Sequence, residues 1–166
     1  MEKWDILNSA GEPTGETVVR EANALKEGQY HLVVHIWVIN EKKKTLIQKR
    51  SDSVDILPGI WATTSGSALS GESAVDAAKR ELSEEMGILV TDEDLHLLKK
   101  YRGRNNFVYV YAVHKNPGIS EITMQEEEVQ AVKWVSASEL SEMVHKKQFH
   151  HYNYMSDVYE YVDNNF

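Results

Sequence analysis

The sequence contains no cysteine, which removes disulfides, thiolate metal sites and thiol nucleophiles together and suits a reducing compartment. A catalytic metal in this chain has to use oxygen or imidazole ligands. Positive charge is also in deficit: 18 Lys and Arg stand against 26 Asp and Glu, a formal net charge of -8, and the basic residues are scattered. That balance gives no electrostatic footprint for nucleic acid. A small phosphorylated ligand stays compatible, because a bound divalent cation reverses the local potential. No apolar run approaches the roughly 20 residues that span a bilayer; Leu32 to Ile39 is the longest and is interrupted by His35. The opening Met1-Glu2-Lys3-Trp4-Asp5 has no secretory apolar core. Repeats, low-complexity tracts and long linkers are absent as well. These absences lead to the expectation of a cytoplasmic protein with neither a nucleic-acid nor a membrane partner.

A chain of 166 residues fits one domain, residues 1–166, and can bury roughly 70% of the surface its unfolded form exposes. Trp4 to Leu7 and the Gly- and Pro-punctuated stretch after it predict a hairpin extension over residues 1–28. His31 to Asn40 and Thr45 to Arg50, rich in Val and Ile and joined by a charged turn at Lys42 to Lys44, predict two central strands. Trp61 to Thr64, Asn106 to Val113 and Val129 to Val135 predict further strands. Ser73 to Met86, Ala137 to His145 and Tyr154 to Val162 carry helical patterns. Ser73 with Asp76 three residues on is a capping-box start, and Gly87 stands where the first helix should end. The irregular alternation points to an α/β (α+β) fold with a mixed sheet between helices.

On the first predicted helix Glu81 shares a face with Glu84 and Glu85, three and four residues on. Unpaired, such a cluster repels itself by a few tenths of a kcal/mol per like-charge pair. Mg²⁺ takes oxygen ligands and bridges one or two carboxylates to substrate phosphates, which gives the crowding a use. A bare E-x-x-E-E is more often a solvated face balanced by neighbours such as Lys79 and Arg80. The surroundings change that weighing: Gly66, five residues, Glu72, seven residues, then Arg80-Glu81-Leu82-Ser83-Glu84-Glu85-Met86-Gly87-Ile88.

With that spacing the chain resembles the Nudix hydrolases, whose box reads G-x5-E-x7-R-E-U-x-E-E-x-G-U, U being a bulky aliphatic. The resemblance implies an α/β/α sandwich with a mixed central sheet, and a Mg²⁺-dependent enzyme, with Mn²⁺ as the alternative ion, that cleaves a diphosphate linkage in a small molecule. It implies Glu81, Glu84 and Glu85 as metal ligands, joined by the Ser65 carbonyl, and Gly66, Glu72 and Arg80 as supporting positions. Arg80 would hold carboxylates in place by charge-assisted hydrogen bonds. Glu84 or Glu85 would serve as general base, or one of Glu126, Glu127 and Glu128, since members of the family also recruit a downstream glutamate. Arg50, at the end of a predicted strand, is a candidate phosphate ligand. Homodimers are common in the family. The number of ions and the substrate's leaving group are not legible in the box.

The stretch from Trp4 through Trp61, in particular Gln48-Lys49-Arg50 and Pro58-Gly59-Ile60-Trp61, also resembles the isopentenyl diphosphate isomerase branch of the same superfamily. That branch places a cysteine where Ser65 stands, a histidine where Ser67 stands, and a lysine within the Ser51 to Ile56 connection, which has none. A third expectation to test is a sensor that binds a nucleotide without cleaving it; retention of all three box carboxylates speaks against it.

Overall fold

Alternation along β3 (His31–Ile39) sends Val34, Ile36 and Val38 to one side of the sheet and Val33, His35 and Trp37 to the other. Both sides are covered, so this strand is almost wholly apolar. The computed structural model describes residues 1–166. β3 pairs in parallel with β8 (Asn106–His114) and antiparallel with β4 (Thr45–Arg50) and β6 (Thr64–Ser67). β4 also pairs antiparallel with β5 (Trp61–Ala62) and β9 (Val129–Val135), and β8 with β7 (His96–Arg102), giving a mixed sheet of seven strands.

Helix α1 (Ala74–Met86) covers one face through Ala77, Ala78, Leu82 and Met86, which pack on Val34, Ile36, Val38 and Leu46. Helices α2 (Ala137–His145) and α3 (Met155–Asn165) cover the other, where Leu140, Met143 and Val158 meet Trp37, Ile47 and Val110. The result is the expected three-layer α/β/α sandwich. No helix is long and apolar enough to cross a membrane. Strands β1 (Lys3–Leu7) and β2 (Pro13–Val19) form a separate antiparallel pair, which the Trp4 ring docks on the core by stacking on His31 at 4.0 Å.

The predicted strand over residues 61–64 divides in two. β5 adds to β4 and β6 adds to β3, and between them buried Thr63 donates its hydroxyl to the Ile36 carbonyl at 2.6 Å. This change of partner delivers Ser65 and Gly66 to α1. The predicted capping box is present: Ser73 and Asp76 exchange side chain-to-backbone hydrogen bonds, each 3.1 Å, a device that contributes about 1 kcal/mol. At the other end Gly87 adopts φ 66°, the left-handed conformation that returns its N–H to the Ser83 carbonyl and that of Ile88 to the Leu82 carbonyl.

His31 is buried beneath the hairpin, and His35 is half-buried against the rings of Tyr152 and Tyr154. The Tyr154 hydroxyl accepts from Trp37 Nε1 (3.1 Å) and lies within hydrogen-bond distance, 2.7 Å, of His35 Nδ1. Burial pushes both histidines down to about 4. Tyr152 and Tyr154 sit in the same cluster and seat the end of the chain.

Candidate active site

Arg80 organises the site. Its Nε and Nη2 grip Glu72 with a two-pronged pair of bonds (2.7 and 3.0 Å), Nη2 also donates to the Ser67 carbonyl (3.1 Å), and Nη1 donates to Glu81 (2.9 Å) and Glu84 (3.1 Å). Glu72 in turn accepts from the Leu69 N–H at 2.8 Å. The guanidinium thus ties the loop before α1, the end of β6 and the acidic face of the helix into one unit, a use of Arg that Lys cannot copy.

Gly66 is required for space. A Cβ there would fall on the Glu81 carboxylate, which lies flat against the strand. Ser65, next to it on β6, shares with Ser67 the strand edge on which carbonyls of alternate residues emerge, and the Ser67 carbonyl on that edge already accepts from Arg80.

Glu85 is almost fully buried, 1% exposed, and its partner is neutral: Gln48 Nε2 donates to it at 2.7 Å while Thr64 Oγ1 donates to Gln48 Oε1 at 3.1 Å. Gln48 is itself completely buried in β4. A polar residue following the apolar pair Leu46-Ile47 in a buried strand is the one sequence signal that marks it. Arg50, two residues on along the same face of β4, fixes Nε on the Ile56 carbonyl at 2.7 Å, and its charge reaches Glu85. Of the downstream run, Glu126 and Glu127 are exposed, whereas Glu128 is partly buried and its charge acts on both Glu81 and Glu85. The backbone holds it there: Thr123 N–H and Gln125 N–H donate to the last carbonyls of α1, those of Met86 and Glu85, and Ser51 N–H donates to the Glu128 carbonyl.

The charges of Glu81, Glu85 and Glu128 therefore act on one another, and only Arg80 is bonded to one of them, Glu81. Two full charges a helical turn apart, about 6 Å, repel by about 3 kcal/mol at an effective dielectric near 20, enough to move a proton by about two pH units. Burial pushes Glu81 up to about 7, against the pull of Arg80 and with the push of Glu128 and Glu84. Burial, then the Glu81 charge, pushes Glu85 higher still, and the Gln48 bond only partly offsets them. In this arrangement no three acidic or imidazole groups converge on one point; Glu84, about half exposed, leans on Arg80 instead. Such an exposed pair is worth about 0.2–1 kcal/mol, so Glu84 can turn to a cation at little cost. The donor set fits a hard divalent ion: carboxylate oxygens, two of them buried and short of positive partners, beside strand carbonyls.

Protons held by Glu81 and Glu85 in the folded chain are released on unfolding above their ordinary value of 4.5. Their contribution to the stability of the metal-free protein is full below that value and is lost as pH rises through about 7 and above. His31 and His35 act oppositely, with stability lost as pH falls from 6.5 toward about 4. Above about pH 6.5 only the carboxylates act. Melting temperatures in EDTA are expected to fall from about pH 6.5 to about pH 8, and Mg²⁺ to restore them by an increment that grows with pH. A flat increment would show that the ion does not meet these groups.

The NUDIX domain family matches the chain over residues 29–158. An uncharacterized Nudix hydrolase of Listeria monocytogenes is 34% identical over 160 residues, 96% of this chain and 94% of that one. The chain belongs to the Nudix hydrolase family. Isopentenyl-diphosphate Delta-isomerase of Shigella boydii is 28% identical over 144 residues, 81% of this chain and 77% of that one. Among solved structures, DR0079 from Deinococcus radiodurans covers 99% of both chains with a TM-score of 0.77 at 20% identity. A bifunctional NMN adenylyltransferase/ADP ribose pyrophosphatase from Francisella tularensis, complexed with AMP and a Mn ion, covers 80% of this chain and 42% of that one, with a TM-score of 0.64 at 23% identity.

Proposed function

We propose that the protein is a cytoplasmic, Mg²⁺-dependent pyrophosphohydrolase, able to use Mn²⁺, that cleaves the diphosphate linkage of a nucleoside diphosphate derivative. The observation that carries this reading is the pair of buried carboxylates, Glu81 and Glu85, pushed toward protonation beside strand carbonyls and held by Arg80 and Gln48. Glu81, Glu84, Glu85 and the Ser65 carbonyl would hold the ion. When bound, it supplies a water of lowered pKa and neutralises charge on the phosphate oxygens. Arg80 and Glu72 keep Glu81 on the sheet side of α1. Gln48 fixes the rotamer of Glu85 from behind. Arg50, with Nε engaged, keeps its two Nη groups to pair a phosphate.

Glu128 is the general base in this scheme, because it is the member of its run whose charge reaches the cluster. Glu128→Gln is expected to lower kcat by about a hundredfold, with Glu126→Gln and Glu127→Gln within about twofold of wild type. Equal losses in all three, or none in Glu128→Gln, would return the role to Glu84 or Glu85.

The test of the reaction is incubation with Mg²⁺ and a panel of nucleoside diphosphate derivatives, ADP-ribose among them, and isopentenyl diphosphate. Phosphorus NMR follows cleavage and proton NMR follows double-bond position. Cleavage in the first group is expected. Double-bond migration without phosphate release would make the protein an isomerase, and tight binding with no turnover would make it a nucleotide sensor. Ser65 at the position of the isomerase cysteine favours hydrolysis. A homodimer, common in the family, belongs to the same proposal and is checked by light scattering.

A further inference from the structure

The connection between β4 and β5, residues 51–60, is stitched to the turn that carries Glu126, Glu127 and Glu128. Ser53 Oγ donates to the Glu127 carbonyl at 3.2 Å, and Ser51 N–H donates to the Glu128 carbonyl at 2.8 Å. The first carbonyl belongs to the peptide unit before the Glu128 Cα and the second to the unit after it. The N–H groups of the same two units, those of Glu128 and Val129, both donate to the Gln125 carbonyl, at 2.9 and 2.8 Å. Each unit is therefore held at both ends. Peptide units are planar, so fixing the two that flank a Cα fixes its φ and ψ, and with them the direction in which its side chain leaves the backbone.

Three of these four bonds use backbone donors, which any residue but proline supplies. The fourth depends on a side chain, the Ser53 hydroxyl. That hydroxyl is itself braced: Ser51 Oγ lies 2.8 Å from it and accepts from the Ser53 N–H at 3.3 Å. A carbonyl only accepts, so the Ser53 proton goes to Glu127 and the Ser51 hydroxyl donates to Ser53 Oγ. Ser51 is 8% exposed, which seats the start of this relay in the protein. The register of the sheet brings the two stretches together. Lys49 pairs with Ala131 but Arg50 pairs with Val129, so Gln130 is an extra residue, a β-bulge that bends β9 where it meets the connection.

The connection also holds Arg50. The Arg50 N–H donates to the Ile60 carbonyl (3.0 Å), the Gly59 N–H to the Arg50 carbonyl (3.1 Å), and Arg50 Nε to the Ile56 carbonyl (2.7 Å). One stretch of chain thus sets the backbone of Glu128 and the guanidinium of Arg50 relative to each other. A serine that merely closes its own loop would bond within it. The Ser53 hydroxyl instead reaches a residue 74 positions away and lands on the peptide unit of one glutamate among three. We propose that Ser53, braced by Ser51, is a positioning residue for Glu128, its hydroxyl locking the Glu127–Glu128 peptide so that the Glu128 side chain keeps a single direction, toward Glu81 and Glu85. The proposal rests on the reading of Glu128 as general base and names what holds that base in place.

Ser53→Ala is expected to lower kcat about tenfold while KM stays within about twofold of wild type. Ser53→Thr, which keeps the hydroxyl, is expected to recover most of that loss. The double variant Ser53→Ala, Glu128→Gln is expected to be no slower than Glu128→Gln alone, because a residue that acts only through Glu128 then has nothing to position. Wild-type kcat in Ser53→Ala overturns the proposal, and so does an equal loss with and without Glu128. A crystal structure of Ser53→Ala reads the geometry apart from turnover. The Glu128 carboxylate is expected to leave its position while Glu81 and Glu85 keep theirs, and an unmoved Glu128 overturns the proposal. A displaced Glu128 in that structure, combined with a wild-type rate in Glu128→Gln, would keep the positioning and remove the base reading.

Discussion

Glu85→Gln is expected to abolish turnover, by about a thousandfold or more, and at the same time to raise the melting temperature of the metal-free protein at about pH 8. The two effects share one cause. Glu85 is buried within reach of the charges of Glu81 and Glu128, with a neutral Gln48 as its bonded partner, so its charge is costly until a cation meets it. An amide of the same shape keeps the Gln48 bond, removes the charge and removes the ligand. The gain should reach a few degrees, appear in EDTA, and vanish below about pH 5, where wild type carries the proton itself. A structural carboxylate would show the contrary pattern, a lower melting temperature with activity falling only in proportion to unfolding. Circular dichroism and single-turnover rates on the same preparation separate the two.

Gly66→Ala is the second large expectation. The backbone at Gly66 lies in an ordinary strand, paired with Val34, and its φ lies outside the left-handed range, so alanine adds no backbone strain. Its Cβ instead displaces the Glu81 carboxylate. Turnover should fall by about a hundredfold and the Mg²⁺ concentration for half-maximal rate should rise, with stability lowered by only about 1–3 kcal/mol. Gly87→Ala makes the contrast. There φ is 66° and the Thr123 side chain is close, so the loss appears in stability, and the remaining folded protein keeps its affinity for Mg²⁺. If Gly66→Ala bound Mg²⁺ as wild type does, Glu81 would not be a ligand.

These two glycines show what the sequence conveys and where it stops. Their spacing from the glutamates was visible at once, but not the reasons for them, since one makes room across a strand-helix contact and the other turns a helix end. Elements buried on both faces, such as β3, declared themselves by composition. β7 did not: it is an edge strand whose Lys99-Lys100 and register irregularity between Leu97 and Lys99 break the alternation. Residues 61–64 had the composition of one strand, and only the pairing of β4 and β3 on either side shows why it splits.

At the site, the reach of Arg80 to Glu72 follows from the box, and its bond to Glu81 joins neighbours on the chain. Gln48 could not be placed so easily, because it lies 37 positions from Glu85 in sequence and nothing local says which face of β4 meets α1. Among Glu126, Glu127 and Glu128 the sequence offers three equal residues. The turn fixed by the Gln125 and Ser51 hydrogen bonds is what separates Glu128 from the other two.

Solvent isotope labelling addresses the proposed chemistry most directly. Turnover of the best diphosphate substrate in ¹⁸O-water with Mg²⁺ should place one ¹⁸O in a single phosphate product per cleavage, and stop on addition of EDTA. Products free of ¹⁸O, or turnover that persists in EDTA and in Glu85→Gln, would contradict metal-dependent hydrolysis at Glu81 and Glu85.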